Sequence, residues 1–80
     1  MSQVIELDYP VEDGGEPVLK LSIRRPKVRD QLLADGVEGG DAFKEVHLLA
    51  TLCDVPVSVI EALDIKDYTK LQQAYLGFVK

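Results

Sequence analysis

LATLCDVPVSVIEALDIKDYTKLQQAY, residues 49–75, carries more local structural information than any other part of the chain. Its apolar residues recur at helical spacing, and Asp54, Pro56 and Asp64 interrupt the pattern at two points. Proline suits the first turn of a helix, and an aspartate in front of a helix can accept hydrogen bonds from its free backbone N–H groups. The stretch therefore predicts the end of one helix, a short helix over residues 56–63, and a longer helix after Asp64.

The helix that ends in this stretch is predicted to begin near Asp41, which is a favourable N-cap. Apolar residues are dense towards its C-terminal end, where Leu48 and Leu52 lie off the main stripe. A helix that is apolar over much of its girth is typical of a central position in a small domain. The main stripe comprises Ala42, Val46, Leu49, Ala50 and Cys53.

A shorter helix is predicted over residues 27–35, which place Val28, Leu32 and Leu33 on one side. Gly36 follows as a residue that commonly ends a helix. Its start is poorly specified, because Lys27 stands where Ser, Thr or Asp would normally cap the helix.

The N-terminal part predicts a β-hairpin over residues 1–25. Residues 4–7 and 18–23 are rich in strand-forming side chains, and Gly14-Gly15 between them favours a turn. We expect a loop over residues 8–17, longer than minimal, and one face shared by Leu19, Leu21 and Ile23. A hairpin alone is marginally stable, so the helical part, residues 26–80, should cover it. The predicted fold is α+β, a single domain over residues 1–80 with a hairpin followed by a compact bundle of about four short helices.

Composition and charge argue against several classes of function. The 80 residues are 46% hydrophobic and carry a net charge of −5, which argues against general affinity for nucleic-acid phosphates. Residues 1–8 lack the pattern of a signal peptide, and no apolar run approaches the length of a membrane span. We therefore expect a cytoplasmic protein that binds neither membranes nor nucleic acid.

Catalytic chemistry is not expected. His47 is the only histidine and Cys53 the only cysteine, and at six residues apart on one helix they occupy different faces. One cysteine forms no internal disulfide and offers no metal-ligand set. We predict no catalytic residue, no metal and no cofactor.

Two groups of residues could bind a partner. The last helix has a wide apolar face that either forms the domain core or remains exposed for a partner. A basic cluster precedes the first helix and is either a contact for an acidic partner or a solvated surface. The apolar candidates are Tyr68, Leu71, Tyr75, Leu76 and Phe78, and the basic cluster is Arg24, Arg25, Lys27 and Arg29.

The corner after Cys53 also fits a small helix-turn-helix DNA-binding regulator, which is the alternative function. Asp54 stands where glycine is usual in that motif, and the second helix would present Val57, Ser58, Val59 and Glu61. It offers no Arg, Lys, Asn or Gln to reach base edges, so it would read DNA poorly.

Several short motifs occur in a characteristic order along the chain: LKLSIRRP at residues 19–26, ATLCDVP at residues 50–56, and then Val59-Ile60, Leu63, Asp67-Tyr68 and Leu71-Gln72. This order resembles a known family, the tail assembly chaperones of Mu-like and related contractile-tailed phages, the protein E group. Lys27 departs from the family pattern, in which threonine follows the proline, and residues 53–55 replace Thr-Gly-Leu.

The resemblance implies a non-enzymatic role in virion assembly. Such chaperones, made from phage or prophage genes, bind the tape measure protein in the host cytoplasm and keep it soluble until tail-tube subunits polymerise around it. The implied partners are the tape measure protein and, as a second candidate, the tail-tube protein; self-association stays open. The family has no catalytic residues.

Overall fold

A computed structural model describes residues 2–80. Met1, the first residue of the predicted hairpin range, lies outside the described residues. The observed architecture is an antiparallel hairpin followed by four helices, which confirms the predicted α+β fold. No helix of residues 2–80 is long and apolar enough to cross a membrane. The elements are β1 (Ser2–Asp13), β2 (Glu16–Arg24), α1 (Val28–Asp35), α2 (Asp41–Cys53), α3 (Val57–Ala62) and α4 (Ile65–Val79).

The hairpin turn is tighter than the sequence suggested. Asp13 pairs directly with Glu16, so Gly14 and Gly15 alone connect the strands. Their φ angles are 61° and 85°, a combination that glycine adopts without steric cost and that matches the twist of paired strands. The prediction of a loop over residues 8–17 was wrong, because most of that segment continues the two strands.

β1 runs through Pro10, but its pairing with β2 is irregular in the segment that contains this proline. The register with β2 shifts between Glu6 and Val11, so the intervening backbone does not follow the regular ladder. Proline has no N–H to donate, and an irregular segment of this kind leaves backbone groups that need other partners. The backbone N–H groups of Asp8 and Tyr9 find theirs on α4, as described below.

One face of the hairpin contributes to the core. Ile5, Leu7, Leu21 and Ile23 are buried against the helices, with Ile23 fully inaccessible. Leu19 lies on the same alternation but is 60% exposed, so the prediction that it shares the covered face was wrong.

α2 holds a central position, as the dense apolar pattern predicted. α1, α3 and β2 pack against it, whereas α4 lies mainly against β1. α2 begins at Asp41 with Gly40 as its N-cap, one residue earlier than expected. The buried apolar residues of the helices are Ala34, Leu48, Leu49, Ala50, Leu52, Cys53, Val59, Ile60, Leu63, Leu71 and Ala74.

α1 has the opposite orientation to the one its apolar pattern favours. Val28, Leu32 and Leu33 are all exposed, whereas Asp30 and Ala34 are buried. The Asp30 carboxylate accepts the backbone N–H of Lys27 at 2.8 Å, which supplies the N-terminal cap that the sequence lacked at Lys27 itself. A polar contact, and not burial of the apolar face, therefore sets the orientation of this helix.

The corner after α2 is held by an aspartate in a left-handed conformation. Asp54 has φ 55° and ψ 47°, and the N–H of Val55 donates to the carbonyl of Ala50 at 3.1 Å. A non-glycine residue is strained in this region, although aspartate less than most. The predicted corner is confirmed, and Pro56 precedes α3 as its N-cap.

Replacing Asp54 with glycine should stabilise the protein. Relief of the left-handed strain outweighs the added freedom of the unfolded chain, so D54G should raise the free energy of unfolding by about 0.5–1 kcal/mol. Urea denaturation followed by circular dichroism measures this. As a control, D64A removes the side chain that accepts the backbone N–H of Lys66, and it should lower the free energy of unfolding by about 1 kcal/mol. A destabilised D54G would show that the Asp54 carboxylate contributes more than the strain costs.

Candidate functional site

The orientation of α4 decides which of its apolar residues can meet a partner. Asp67, Leu71 and Ala74 are buried and face the hairpin and core. Ile65 and Val79, the terminal apolar residues of the wide face predicted for this helix, are 76% and 52% exposed. The buried side of α4 is therefore rotated from the predicted apolar face, because Asp67 and the small Ala74 face inward.

α4, α1 and α2 enclose a groove with a volume of about 490 Å³. Its apolar floor and wall come from Ala34, Leu48, Leu49, Tyr75 and Leu76. Leu48 and Leu49 are buried, while Leu76 remains 46% exposed and Tyr75 is partly buried. Polar residues complete the rim: Gln31, Asp35, Asp41, Lys44, Glu45, Gln72 and Gln73.

The rim of the groove carries negative charge. Asp35, Asp41 and Glu45 outnumber the single cation, Lys44. None of these four residues forms an ion pair among residues 2–80. A ligand with an apolar stripe flanked by cationic side chains is complementary to such a surface.

Glu45 connects α2 with α4 at the rim. One of its carboxylate oxygens accepts hydrogen bonds from the Tyr68 hydroxyl and from Gln72 Nε2, the latter at 2.8 Å. Desolvation, followed by the hydrogen bond to this carboxylate, raises the pKa of Tyr68. Tyr68 therefore stays protonated and braces the end of the groove.

The predicted apolar candidates do not form one surface. Tyr75 and Leu76 line the groove, and Tyr68 contacts its rim through Glu45. Leu71 is fully buried in the core and cannot touch a partner without unfolding of α4. Phe78 is partly buried, with the Arg25 guanidinium carbon 5.9 Å from its ring centre.

Only part of the basic cluster is available for contact with a partner. Arg24 donates two hydrogen bonds, each 2.8 Å long, to the buried carboxylate of Asp30, while Arg25 lies over Phe78. Among residues 2–80, Lys27 and Arg29 form no ion pair. Arg24 is thus a structural residue, and Lys27 and Arg29 remain available to a partner.

Asp30 should make stability fall in acid. Its hydrogen bonds with Arg24 are the main reason that its pKa drops from 3.8 to about 2, against the opposing effect of burial. Because the folded state lowers this pKa, the stabilisation is present above about pH 4 and is lost as pH falls towards 2. Between about pH 7 and pH 2, the wild type should lose about 2 kcal/mol more than D30N. Urea denaturation across this range tests it; parallel losses in both proteins would contradict it.

His47 and Cys53, the two residues considered for catalysis, are packed against other side chains of the domain. The His47 ring packs edge-on against Phe43 with 4.6 Å between centroids, and burial raises the pKa of Cys53 to about 11. Residues 2–80 contain no group of three or more His, Cys, Asp or Glu side chains placed to hold a metal.

The corner between α2 and α3 does not favour DNA recognition. α3 spans only Val57–Ala62, and Val59 and Ile60 are buried in the core. The expectation that this helix presents Val59 was therefore wrong, because its side chain packs inward. Its exposed positions are Ser58, Glu61 and Ala62, so the short helix presents one acidic side chain and no basic one to solvent. Base reading in the major groove depends mostly on Arg, Lys, Asn and Gln.

The sequence did not reveal the groove. Its rim combines Asp35 from α1, Asp41 and Glu45 from α2, and Gln72 from α4, which are distant in sequence. The spacing of Asp41 and Glu45 by four residues was a usable signal for one edge, since such residues share a helix face. The opposite edge depends on how α1 and α4 pack, which local periodicity does not specify.

Comparison with known proteins identifies the family. A family model described as "Phage tail assembly chaperone proteins, E, or 41 or 14" matches residues 4–80, nearly the whole chain. No curated protein and no solved structure matches the sequence. The match confirms the resemblance seen in the sequence and the prediction of a non-enzymatic protein. The chain belongs to the family of phage tail assembly chaperones.

Proposed function

We propose that this chain binds helical segments of a phage tape measure protein in the α1–α2–α4 groove. Binding keeps that protein soluble in the cytoplasm of the bacterial host until tail-tube subunits polymerise around it. Residues 1–80 act as one binding unit. The groove, with Tyr75 and Leu76 on its wall and an acidic rim, is the observation that carries the proposal.

The groove suits one side of an amphipathic helix. An apolar stripe on the ligand covers Leu76 and the partly buried ring of Tyr75. Lysine or arginine residues beside the stripe reach Asp35, Asp41 and Glu45 on the rim. A tape measure segment of this composition exposes an apolar stripe that promotes aggregation before the tube encloses it, so a chaperone that covers the stripe opposes aggregation.

Release requires no chemistry. Tail-tube subunits that cover the same apolar stripe compete with the chaperone, and modest affinity makes this exchange fast. The net charge of −5 keeps loaded chaperones apart and adds solubility to the complex.

The proposal is tested by co-expression with the tape measure protein of the same phage or prophage, followed by pull-down and a solubility assay. L76D places a carboxylate on the apolar wall and should weaken binding roughly 30-fold, as for a central interface residue. The control I65D alters a more exposed aliphatic residue of α4 that does not line the groove, and it should bind like the wild type.

Two results would count against the proposal. If wild-type chain neither co-purifies with the tape measure protein nor raises its soluble fraction, the function is wrong. If L76D and I65D weaken binding equally with their folds intact, the site lies elsewhere. Circular dichroism and urea denaturation of each variant distinguish lost binding from lost folding.

A further inference from the structure

α1 presents its apolar side to solvent. Val28, Leu32 and Leu33 expose 78%, 66% and 65% of their surfaces. At about 100° per residue, Leu32 points directly away from the side defined by the buried Asp30 and Ala34. Val28, Leu32 and Leu33 together form what is called here the α1 outer face.

Polar contacts hold this unfavourable orientation in place. The Asp30 carboxylate accepts hydrogen bonds from Arg24 Nη1, Arg24 Nη2 and the backbone N–H of Lys27, all at 2.8 Å. Turning Leu32 towards the core would swing Asp30 into solvent and break these contacts. The fold therefore keeps two leucines and a valine exposed where burial would stabilise it.

Positive charge borders the α1 outer face. Lys27 and Arg29 flank Val28, and with Arg25 and Leu33 they line a shallow depression beside the helix. Four of the chain's nine basic residues lie between positions 24 and 29, in a protein of net charge −5. Cations near a helix N-terminus are mildly destabilising, and Lys27 and Arg29 form no ion pair among residues 2–80, so folding does not account for these two residues.

We propose that the α1 outer face, bordered by Lys27 and Arg29, is a docking surface for an acidic amphipathic helix of another protein. Leucine-type side chains of the ligand cover Leu32 and Leu33, and its glutamates or aspartates meet Lys27 and Arg29. This surface differs from the groove, whose rim is acidic and suits a basic helix. A phosphate backbone would leave the three apolar side chains uncovered. A second copy that docked through its own α1 outer face would bring the same cations, Lys27 and Arg29, against each other.

A pair of synthetic peptides tests the proposal. Both carry leucines at identical helical spacing, with glutamate at the polar positions of one and lysine at those of the other. The glutamate peptide should bind the wild-type chain, shift the methyl NMR signals of Val28, Leu32 and Leu33, and lose affinity as salt rises.

Variants locate the site. L32S should weaken binding of the glutamate peptide about tenfold, and R29E should weaken it roughly fivefold. The matched control L19S alters an equally exposed leucine on β2 and should leave the affinity unchanged. Because Leu32 and Arg29 are exposed, both variants should fold, and circular dichroism verifies this.

Several outcomes would overturn the proposal. They are an absence of binding by the glutamate peptide, methyl shifts confined to the groove, or equal effects of L32S and L19S. Concentration-dependent self-association that L32S abolishes would assign the face to a second copy. Binding of duplex DNA that R29E abolishes, without binding of the glutamate peptide, would assign the basic residues to nucleic acid.

Discussion

Replacing Asp67 with alanine is expected to lower the free energy of unfolding by about 3 kcal/mol, the loss of two charge-assisted hydrogen bonds partly offset by water. Asp67 is fully buried on α4 and accepts the backbone N–H groups of Asp8 and Tyr9 at 2.9 and 3.0 Å. These two amides belong to the irregular segment of β1, where the regular ladder does not provide partners. Lys70 Nζ lies 3.3 Å from the same carboxylate.

Burial and hydrogen bonding have opposite effects on the pKa of Asp67, and hydrogen bonding has the larger effect. Burial alone would raise the pKa of this carboxyl, but the two β1 amides and the Lys70 ammonium lower it. The carboxylate therefore stays ionised and fastens α4 to β1. Without it, the amides of Asp8 and Tyr9 lose their acceptors and the junction of hairpin and helix loosens.

Urea denaturation of D67A and D67N separates charge from shape. D67N retains one acceptor oxygen and should lose only about half as much stability as D67A. D8A removes an exposed carboxylate that bridges Lys66 and Lys70 but leaves the Asp67 contacts intact, so its effect should be small. Equal stabilities of D67A and D8A would show that Asp67 does not fasten β1.

The features that sequence predicted are those with a local cause. Gly14-Gly15 marked a turn because glycine tolerates positive φ, and Asp64 marked the start of α4 because its side chain caps Lys66. The dense apolar pattern of residues 42–53 identified α2 as the central helix. Each of these signals acts within a few residues, so the sequence displays it directly.

The features that sequence missed depend on contacts between distant segments. Asp30 overrides the apolar pattern of α1 because Arg24, at the end of β2, holds its carboxylate inside. Asp67 lies in the first turn of α4, where an acid suits the helix dipole, yet its carboxylate accepts hydrogen bonds from the backbone of β1, 58 and 59 positions earlier. Both aspartates turn their helices away from the orientation that hydrophobic periodicity favours.

These two rotations also decide the candidate surfaces. The rotation of α1 about its axis exposes Leu32. The rotation of α4 places Tyr75 and Leu76 in the groove and Leu71 in the core. The sequence showed that α1 and α4 carry apolar residues, but it did not show which of these residues belong to the core and which to the surface. That assignment needed the partners of Asp30 and Asp67.

Leu71 and Leu76 provide the sharpest test of that assignment. They are the same residue type on α4, but Leu71 is fully buried and Leu76 is 46% exposed in the groove. L71A should lower the free energy of unfolding by about 3 kcal/mol, because it removes core contacts and leaves a cavity. L76A should lower it by less than about 0.5 kcal/mol, as expected for an exposed substitution.

Binding should show the opposite order. L76A removes a groove contact and should weaken capture of the tape measure protein about tenfold, a cost of about 1.4 kcal/mol. L71A should leave the affinity of the folded fraction unchanged, provided that binding is measured where the variant is still folded. Urea denaturation and titration with a tape measure fragment give both quantities for each variant. If L71A weakened binding of the folded chain as strongly as L76A, the separation of α4 into a core side and a binding side would be wrong.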